Sequence, residues 1–342
     1  MRLCTQMGYA GDIAAALEQV VALDRAGVDI VWVPEAYGFD AVSLMGYLAA
    51  RTERIQIGSG ILPIYSRTPA LLAQTAAGLD WVSGGRAVLG IGASGPQVIE
   101  GWHGVPYDRP VQRTTEVIEI CRRVWRREVL TNEGAYTIPL PPEQGTGLGK
   151  PLKIITRPLR ADIPIYVAAL GPKNVEAVAA VADGWLPIFY VPERADAVWG
   201  ASLRAGSSRR DPSLAPLEVA AGGPLAIGDG LEHLREGGRA GAALYIGGMG
   251  AKGKNFYNDL ARRYGYEREA EEIQDLYLAG EKERAAALVP DELLERTSLI
   301  GPAGYVRERI EAFRDSGVTV LSVQPIGPDP LGSLRQVREW LS

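Results

Sequence analysis

Two rhythms of apolar positions alternate along this chain. Short runs dense in Val, Ile, Leu and aromatic residues, the pattern of strands buried on both faces, are separated by longer stretches whose apolar residues recur every three or four positions, the period of a helix packed on one side. The short runs predict strands near 2–7, 30–33, 55–61, 86–91, 164–168, 185–189, 217–227 and 318–325. The longer stretches predict helices at 11–26, 40–51, 69–82, 110–127, 172–183, 193–205, 302–316 and 331–341. The junctions agree with this alternation. In ALDRAGVDIVWV (22–33), AVADGWLPIF (180–189) and AFRDSGVTVLSV (312–323) a glycine stands where a helix ends in a left-handed residue before the next strand. Thr68-Pro69, Gly171-Pro172 and Gly301-Pro302 each place a permissive cap before proline at a first helical position. Eight strands with intervening helices predict an α/β fold of the (β/α)8 TIM-barrel class rather than an open doubly wound sheet, with function on the loops at the C-terminal ends of the strands.

Two segments exceed a minimal barrel. Residues 128–162 hold a hairpin-like EVLTNEGAYTIPL and the proline- and glycine-rich PPEQGTGLGKP, and residues 228–300 form a mostly helical insertion between strands 7 and 8. The whole of 1–342 reads as one barrel domain carrying both.

Composition narrows the function classes. The chain has 342 residues and is 46% hydrophobic, enough for a single large core. Lys plus Arg number 36 and Asp plus Glu 41, a net charge of −5, so nothing points to nucleic acid. The N-terminus MRLCTQMGYAGD has no basic region followed by an apolar run, and no apolar segment approaches ~18 residues, so a soluble cytoplasmic protein is expected. Cys4 and Cys121 have no partner spacing for a disulfide or a metal and are expected to be packing residues.

Several short stretches carry candidate chemistry. Glycines flank Ser59 in IGSGILPIYSRTP (57–69), where a strand ends, marking a bulge or a close approach to the backbone. Gly90-Ile91-Gly92-Ala93-Ser94-Gly95 matches GxGxxG, but Pro96 follows at once and the next long helix is expected only near 110. A dinucleotide-binding fold needs a helix opening there and an acidic residue ~20 positions on, so a strand running into a tight ligand-facing loop is the better reading. Leu170-Gly171-Pro172 opens a helix whose free N–H groups suit a phosphate. Glu35, in WVPEAYGFD, is expected at the barrel mouth as a proton donor, with His103 in GWHGVPYD as a second candidate. Lys252 and Lys254 lie in a glycine-rich loop that could grip an anionic tail, while His233 sits in a charged, surface-type helix.

Together WVPEAYGFDAVS, AARTERIQIGSGILPIYSRTPALLAQTAAGLD, GGRAVLGIGASGPQVIEGWHGVPYDRP and YVAALGPKNVEAVAAVADGW resemble the luciferase-like monooxygenase superfamily. Within it they are most similar to the actinobacterial oxidoreductases that use the deazaflavin coenzyme F420. The resemblance extends over nearly the whole chain. It implies that strand 3 ends in a bulge with a non-prolyl cis peptide, here Gly60–Ile61, backing the deazaflavin ring, with Pro63 and Ile64 continuing that wall. It further implies ring or substrate contacts from Glu35 and Ala36, a strand 4 side lined by Gly92, Ala93 and Ser94, and a route to the cofactor phosphate along Ala168, Ala169, Leu170 and Gly171, with Lys173 as a helper. The family's sugar-phosphate dehydrogenases have histidine where Ala36 stands and glutamate where Gly95 stands, which counts against sugar-phosphate oxidation.

The resulting expectation is an oxidoreductase that holds coenzyme F420 non-covalently, exchanges a hydride between ring carbon C5 and a small organic molecule, and works as a homodimer without metal, membrane or nucleic acid. An FMN-dependent monooxygenase and a non-catalytic deazaflavin-binding protein are the alternatives.

Overall fold

The eight apolar runs pair side by side in parallel. A computed structural model of the chain describes residues 1–8 and 11–341. The strands are β1 (Arg2–Gln6), β2 (Ile30–Val33), β3 (Gln56–Ser59, resuming at Leu62–Pro63), β4 (Ala87–Gly92), β5 (Ile165–Ala168), β6 (Gly184–Trp185), β7 (Glu218–Ile227) and β8 (Val320–Pro325). Each neighbours the next, and Arg2↔Val320 between β1 and β8 closes the circuit into a barrel. This is the (β/α)8 barrel expected from the alternation.

The helices between the strands are α1 (Ile13–Arg25), α2 (Ala41–Arg51), α3 (Pro69–Val82), α4 (Pro110–Trp125), α5 (Pro172–Val181), α6 (Pro192–Ala195, a π-wound Asp196–Gly200 and Ala201–Ser207), α7 (Ala303–Asp315) and α8 (Pro330–Leu341). A two-stranded hairpin pairs Asn132–Glu133 with Thr137–Ile138 after α4. Between β7 and β8 the chain passes through helices that include Phe256–Arg263 and Glu267–Leu278, then adds a short strand, Leu299–Gly301, alongside β7.

Two strand expectations need correction. The run expected at 185–189 forms only Gly184–Trp185, because Pro187 has no N–H to continue the ladder. The run expected unbroken over 55–61 is interrupted after Ser59. There β3 pairs Gly58 with Val88 and next Leu62 with Ile91, so three residues, Ser59, Gly60 and Ile61, stand opposite two, Leu89 and Gly90. This is a bulge. The Gly60–Ile61 peptide within it is cis, as the resemblance implied.

Side chains close the gap that the bulge leaves in the ladder. Ser59 Oγ donates to the Gly90 carbonyl at 2.7 Å and accepts from the Gly90 N–H at 2.9 Å, replacing both backbone partners. The strands approach so closely that a Cβ on Gly90 would lie 1.8 Å from the Ser59 carbonyl oxygen. Beneath the bulge, Trp32 fills the barrel, its ring centroid 5.1 Å from that of Tyr166. A Cβ on Gly58 would be 2.4 Å from the Trp32 ring, and one on Gly60 2.8 Å from Trp32 Cβ. Trp32 joins Cys4, Ile30, Val88, Tyr166, Ala220 and Val320 in a buried cluster separate from the larger core between strands and helices. Cys121 lies in that larger core, so both cysteines are packing residues.

The Gly90 contact is testable by paired glycine substitutions. Gly90→Ala should destabilise the fold by roughly 1–3 kcal/mol, because backbone must shift to admit the methyl. Gly46→Ala, in α2 with nothing within 4 Å of the added methyl, should stabilise it by roughly 0.5–1 kcal/mol. Urea unfolding midpoints measure both, and a Gly90→Ala midpoint equal to wild type would refute the interlock.

Candidate functional site

The C-terminal ends of β3, β4 and β5 form one continuous wall at the barrel mouth. A Cβ on Gly92 would lie 2.5 Å from Ile61 Cδ1 and 3.4 Å from Ala168 Cβ, so the absence of that atom lets these residues meet. Pro63 pairs with Gly92, and the Ile64 N–H donates to the Gly92 carbonyl at 3.0 Å. Of the residues expected at the site, Gly60, Ile61, Pro63, Ile64, Gly92 and Ala168 thus assemble at one place. Ala93 and Ser94 follow directly, Ser94 with a left-handed φ of 57°, a conformation that non-glycine residues adopt mainly where surroundings enforce it.

After β5 the chain is pinned from outside. The Trp185 indole N–H donates to the Ala169 carbonyl at 2.9 Å, and that of Trp199 to the Leu170 carbonyl at 3.0 Å. Gly171 then caps α5 without any side-chain hydrogen bond, and a Cβ there would meet nothing within 4 Å. Lys173 is exposed on the first turn, and Asn174 Oδ1 is buried without a partner.

Glu35 sits two residues past β2 but does not present a free acid to the mouth. Arg67 grips it with two hydrogen bonds, of 2.5 and 2.9 Å, and the Ala41 N–H at the start of α2 donates to it at 2.9 Å. The bonds to Glu35 raise the Arg67 pKa, outweighing the opposite effect of its burial. Arg67 also bonds Asp40 at 2.6 Å, tying the β2 and β3 loops together. In this geometry the carboxylate expected as a proton donor accepts three hydrogen bonds. Ala36 beside it is half-buried.

His103 lies beyond a short helix, Pro96–Gly101, where a loop is expected from the sequence. Gly95 caps this helix, so a helix does open at the third glycine of GxGxxG. Gly90 and Gly92, however, serve strand-to-strand contact within a closed barrel. His103 Nε2 is buried with no hydrogen-bond partner. Lys252 is paired with Asp275, Lys254 is exposed, and His233 is an exposed surface residue whose ring contacts the Gly230 carbonyl.

A cluster that sequence reasoning missed braces both sides of the wall. Arg113 lies over the rings of Tyr65, at 5.5 Å, and Tyr136, at 4.8 Å, as cation–π pairs. Tyr136 donates to the Ile64 carbonyl at 3.2 Å, Tyr65 to the Asp108 carbonyl at 2.6 Å, and Tyr107 to the Ser94 carbonyl at 3.4 Å. Burial pushes the Tyr107 hydroxyl up to about 12, reinforced by Tyr257 from the insertion. Its members span residues 65 to 136 with no local spacing that announces them. Among the described residues no group of three or more His, Cys, Asp or Glu is placed to hold a metal, and no helix is long and apolar enough to cross a membrane.

Comparison with known proteins agrees with this geometry. The chain is 41% identical over 345 residues, 99% of its own length and 97% of the relative's, to a Mycobacterium tuberculosis protein named for coenzyme F420-dependent oxidoreductase activity. It is 28% identical over 330 residues, 94% and 93% of the two chains, to 5,10-methylenetetrahydromethanopterin reductase of Archaeoglobus fulgidus. The solved coenzyme F420-dependent tetrahydromethanopterin reductase of Methanopyrus kandleri superposes with a TM-score of 0.81 at 23% identity, covering 98% of this chain and 96% of that one, which shows the shared fold. The profile described as luciferase-like monooxygenase matches residues 2–320, and the chain belongs to that family.

Proposed function

We propose that this protein is an oxidoreductase that binds coenzyme F420 without a covalent link and moves a hydride between its ring carbon C5 and a small organic substrate. The observation that carries this reading is the surface where Ile61 meets Gly92 and Ala168 at the strand ends, a wall of small and aliphatic groups suited to the flat face of a tricyclic ring. The uncapped start of α5 fits the anionic end: its N–H groups are fixed in direction and a Cβ at Gly171 would stand in open space. The relative at 41% identity, matched over almost its entire length, supports F420 as the cofactor. When bound, that cofactor supplies the hydride chemistry, while the protein orients it, shapes the pocket and handles the proton.

For the proton, the structure favours reversing the two candidates. Glu35 has both oxygens committed to Arg67 and Ala41 and acts by holding the β2 and β3 loops in register. His103, with an unpartnered ring nitrogen in the β4 loop, is the group free to donate. We also assign a homodimer contact to the outer face of α3. PALLAQTAAGLDWV is apolar almost all round, yet Leu71, Trp81 and Val82 are exposed on it, the pattern of a helix that another surface covers.

Equilibrium fluorescence titration should give tight F420 binding and little FMN binding; the opposite order would move the protein to the FMN-dependent reading. Gly171→Val has room to fold, so a tenfold or larger loss of F420 affinity would report crowding of the phosphate, whereas Lys173→Ala should cost only ~1 kcal/mol. Unchanged affinity in Gly171→Val would place the phosphate elsewhere.

His103→Ala should slow hydride transfer by roughly 10²-fold or more with F420 affinity retained. Glu35→Gln should instead lower thermal stability and loosen cofactor binding. If Glu35→Gln abolished turnover while leaving stability and affinity intact, the proton would belong to Glu35 after all. In sedimentation, wild type should be a dimer and Trp81→Lys a folded monomer; a monomeric wild type would remove the α3 assignment.

A further inference from the structure

β2 and β4 are the two neighbours of β3, and the loops that follow them meet. The β2 loop reads PEAYGFD (34–40) and the β4 loop continues through GWHGVPY (101–107). Their point of contact is aromatic: the Tyr37 and Trp102 rings lie 6.5 Å apart, tilted by 55°. These side chains are not core residues. Tyr37 is 58% exposed, Trp102 66% and Phe39, from the same β2 loop, 70%. Three large rings held in water on adjoining loops form an apolar patch of the kind that marks a binding site.

The charges around this patch indicate what it takes. Within these two segments the acidic groups are Glu35 and Asp40, both bound by Arg67, with Asp40 also accepting from the Ser43 N–H, and the one histidine is His103. Neither segment contains a lysine or arginine. Apart from His103, whose unpartnered Nε2 is buried, an incoming phosphate or carboxylate would find no uncommitted cation in these two segments and would lose hydration against aromatic surface. An uncharged apolar molecule would instead gain by covering the rings.

We propose that Tyr37, Phe39 and Trp102 form the substrate entrance, and that the substrate is an apolar molecule without ionised groups, whose non-reacting body lies against these rings. This deepens the deazaflavin-oxidoreductase reading of the same mouth and rests on it for the identity of the reacting partner. The rings determine specificity by contact with the substrate body; the reacting atoms lie deeper, beside the bulge wall.

The probe is a homologous series of 2-alkanones, from 2-butanone to 2-decanone, titrated calorimetrically into the full chain with and without F420. Affinity should rise about fourfold per added methylene, and the matching ω-carboxylates should bind at least tenfold more weakly than the ketones. The Phe39→Ala, Trp102→Ala double variant should flatten the methylene dependence at an unchanged melting temperature. Ile155→Ala, a 93% exposed residue of the 128–162 segment, should leave that dependence as in wild type. A flat dependence in wild type, equal binding of the carboxylates, or a steep dependence that survives in the double variant would overturn the entrance. Loss of a wild-type dimer, or loss of binding to phosphatidylcholine vesicles, in the double variant together with a flat alkanone series would assign the rings to a second copy or a lipid surface and overturn it equally. The two readings fail separately. F420 binding without methylene dependence removes the entrance alone, and methylene dependence without F420 binding removes the cofactor while leaving the apolar entrance standing.

Discussion

The mouth of this barrel depends on one interlock, the hydroxyl of Ser59 bonded to both the N–H and the carbonyl of Gly90. An extra residue in β3 would ordinarily leave polar backbone groups unpaired in a fully buried strand, at a cost comparable to a lost hydrogen bond for each. Ser59 removes that cost because its side chain offers a donor and an acceptor on one atom. The arrangement works only at close range, which is why residue 90 has no side chain. With the bulge held, Ile61 is directed at Gly92 and Ala168 rather than into the ladder, and the three meet at the barrel mouth. Trp32 completes the device from below, filling the barrel at this level so that the wall has a rigid base.

The loops around the wall are fixed by charge and aromatic contacts rather than by regular structure. Arg67 ties the β2 loop to the β3 loop through Glu35 and Asp40. Arg113, clamped between Tyr65 and Tyr136, links the segment after the bulge to the hairpin outside the barrel, and Glu116 anchors that hairpin by accepting from the Ala135 and Tyr136 N–H groups. These pairs are partly buried, where electrostatic interactions are stronger than on an open surface. The result is a mouth whose shape is set before any ligand arrives, the condition for precise placement of reacting groups.

Glu35 shows how such a network changes a residue's meaning. From the chain alone, an acid just past a strand end is a candidate for proton transfer. Once Arg67 folds back from the β3 loop onto it, the same carboxylate becomes a brace that ties two loops together. Function at the end of a barrel strand is decided by neighbours contributed from other strands.

Much of the architecture was legible in the chain because it follows from local rules. Apolar period located eight strands and their helices to within a few residues, and Gly27 and Gly317 end helices with a left-handed φ as expected, whereas the third such glycine, Gly184, lies inside β6 after a helix that ends in an extended Ala182. The glycines around Ser59 marked the bulge for the same reason: backbone crowding is a property of the residue that lacks a side chain. The one strand badly overestimated, 185–189, failed at Pro187, a local rule given too little weight. What only the tertiary structure decided were the pairings across the closed barrel, Tyr136 with Ile64 over 72 positions, Arg67 with Glu35 over 32, and Tyr37 with Trp102. No periodicity encodes those meetings. They arise because closing eight strands into a ring brings loops far apart in sequence to the same edge, where charge and ring geometry select the partners.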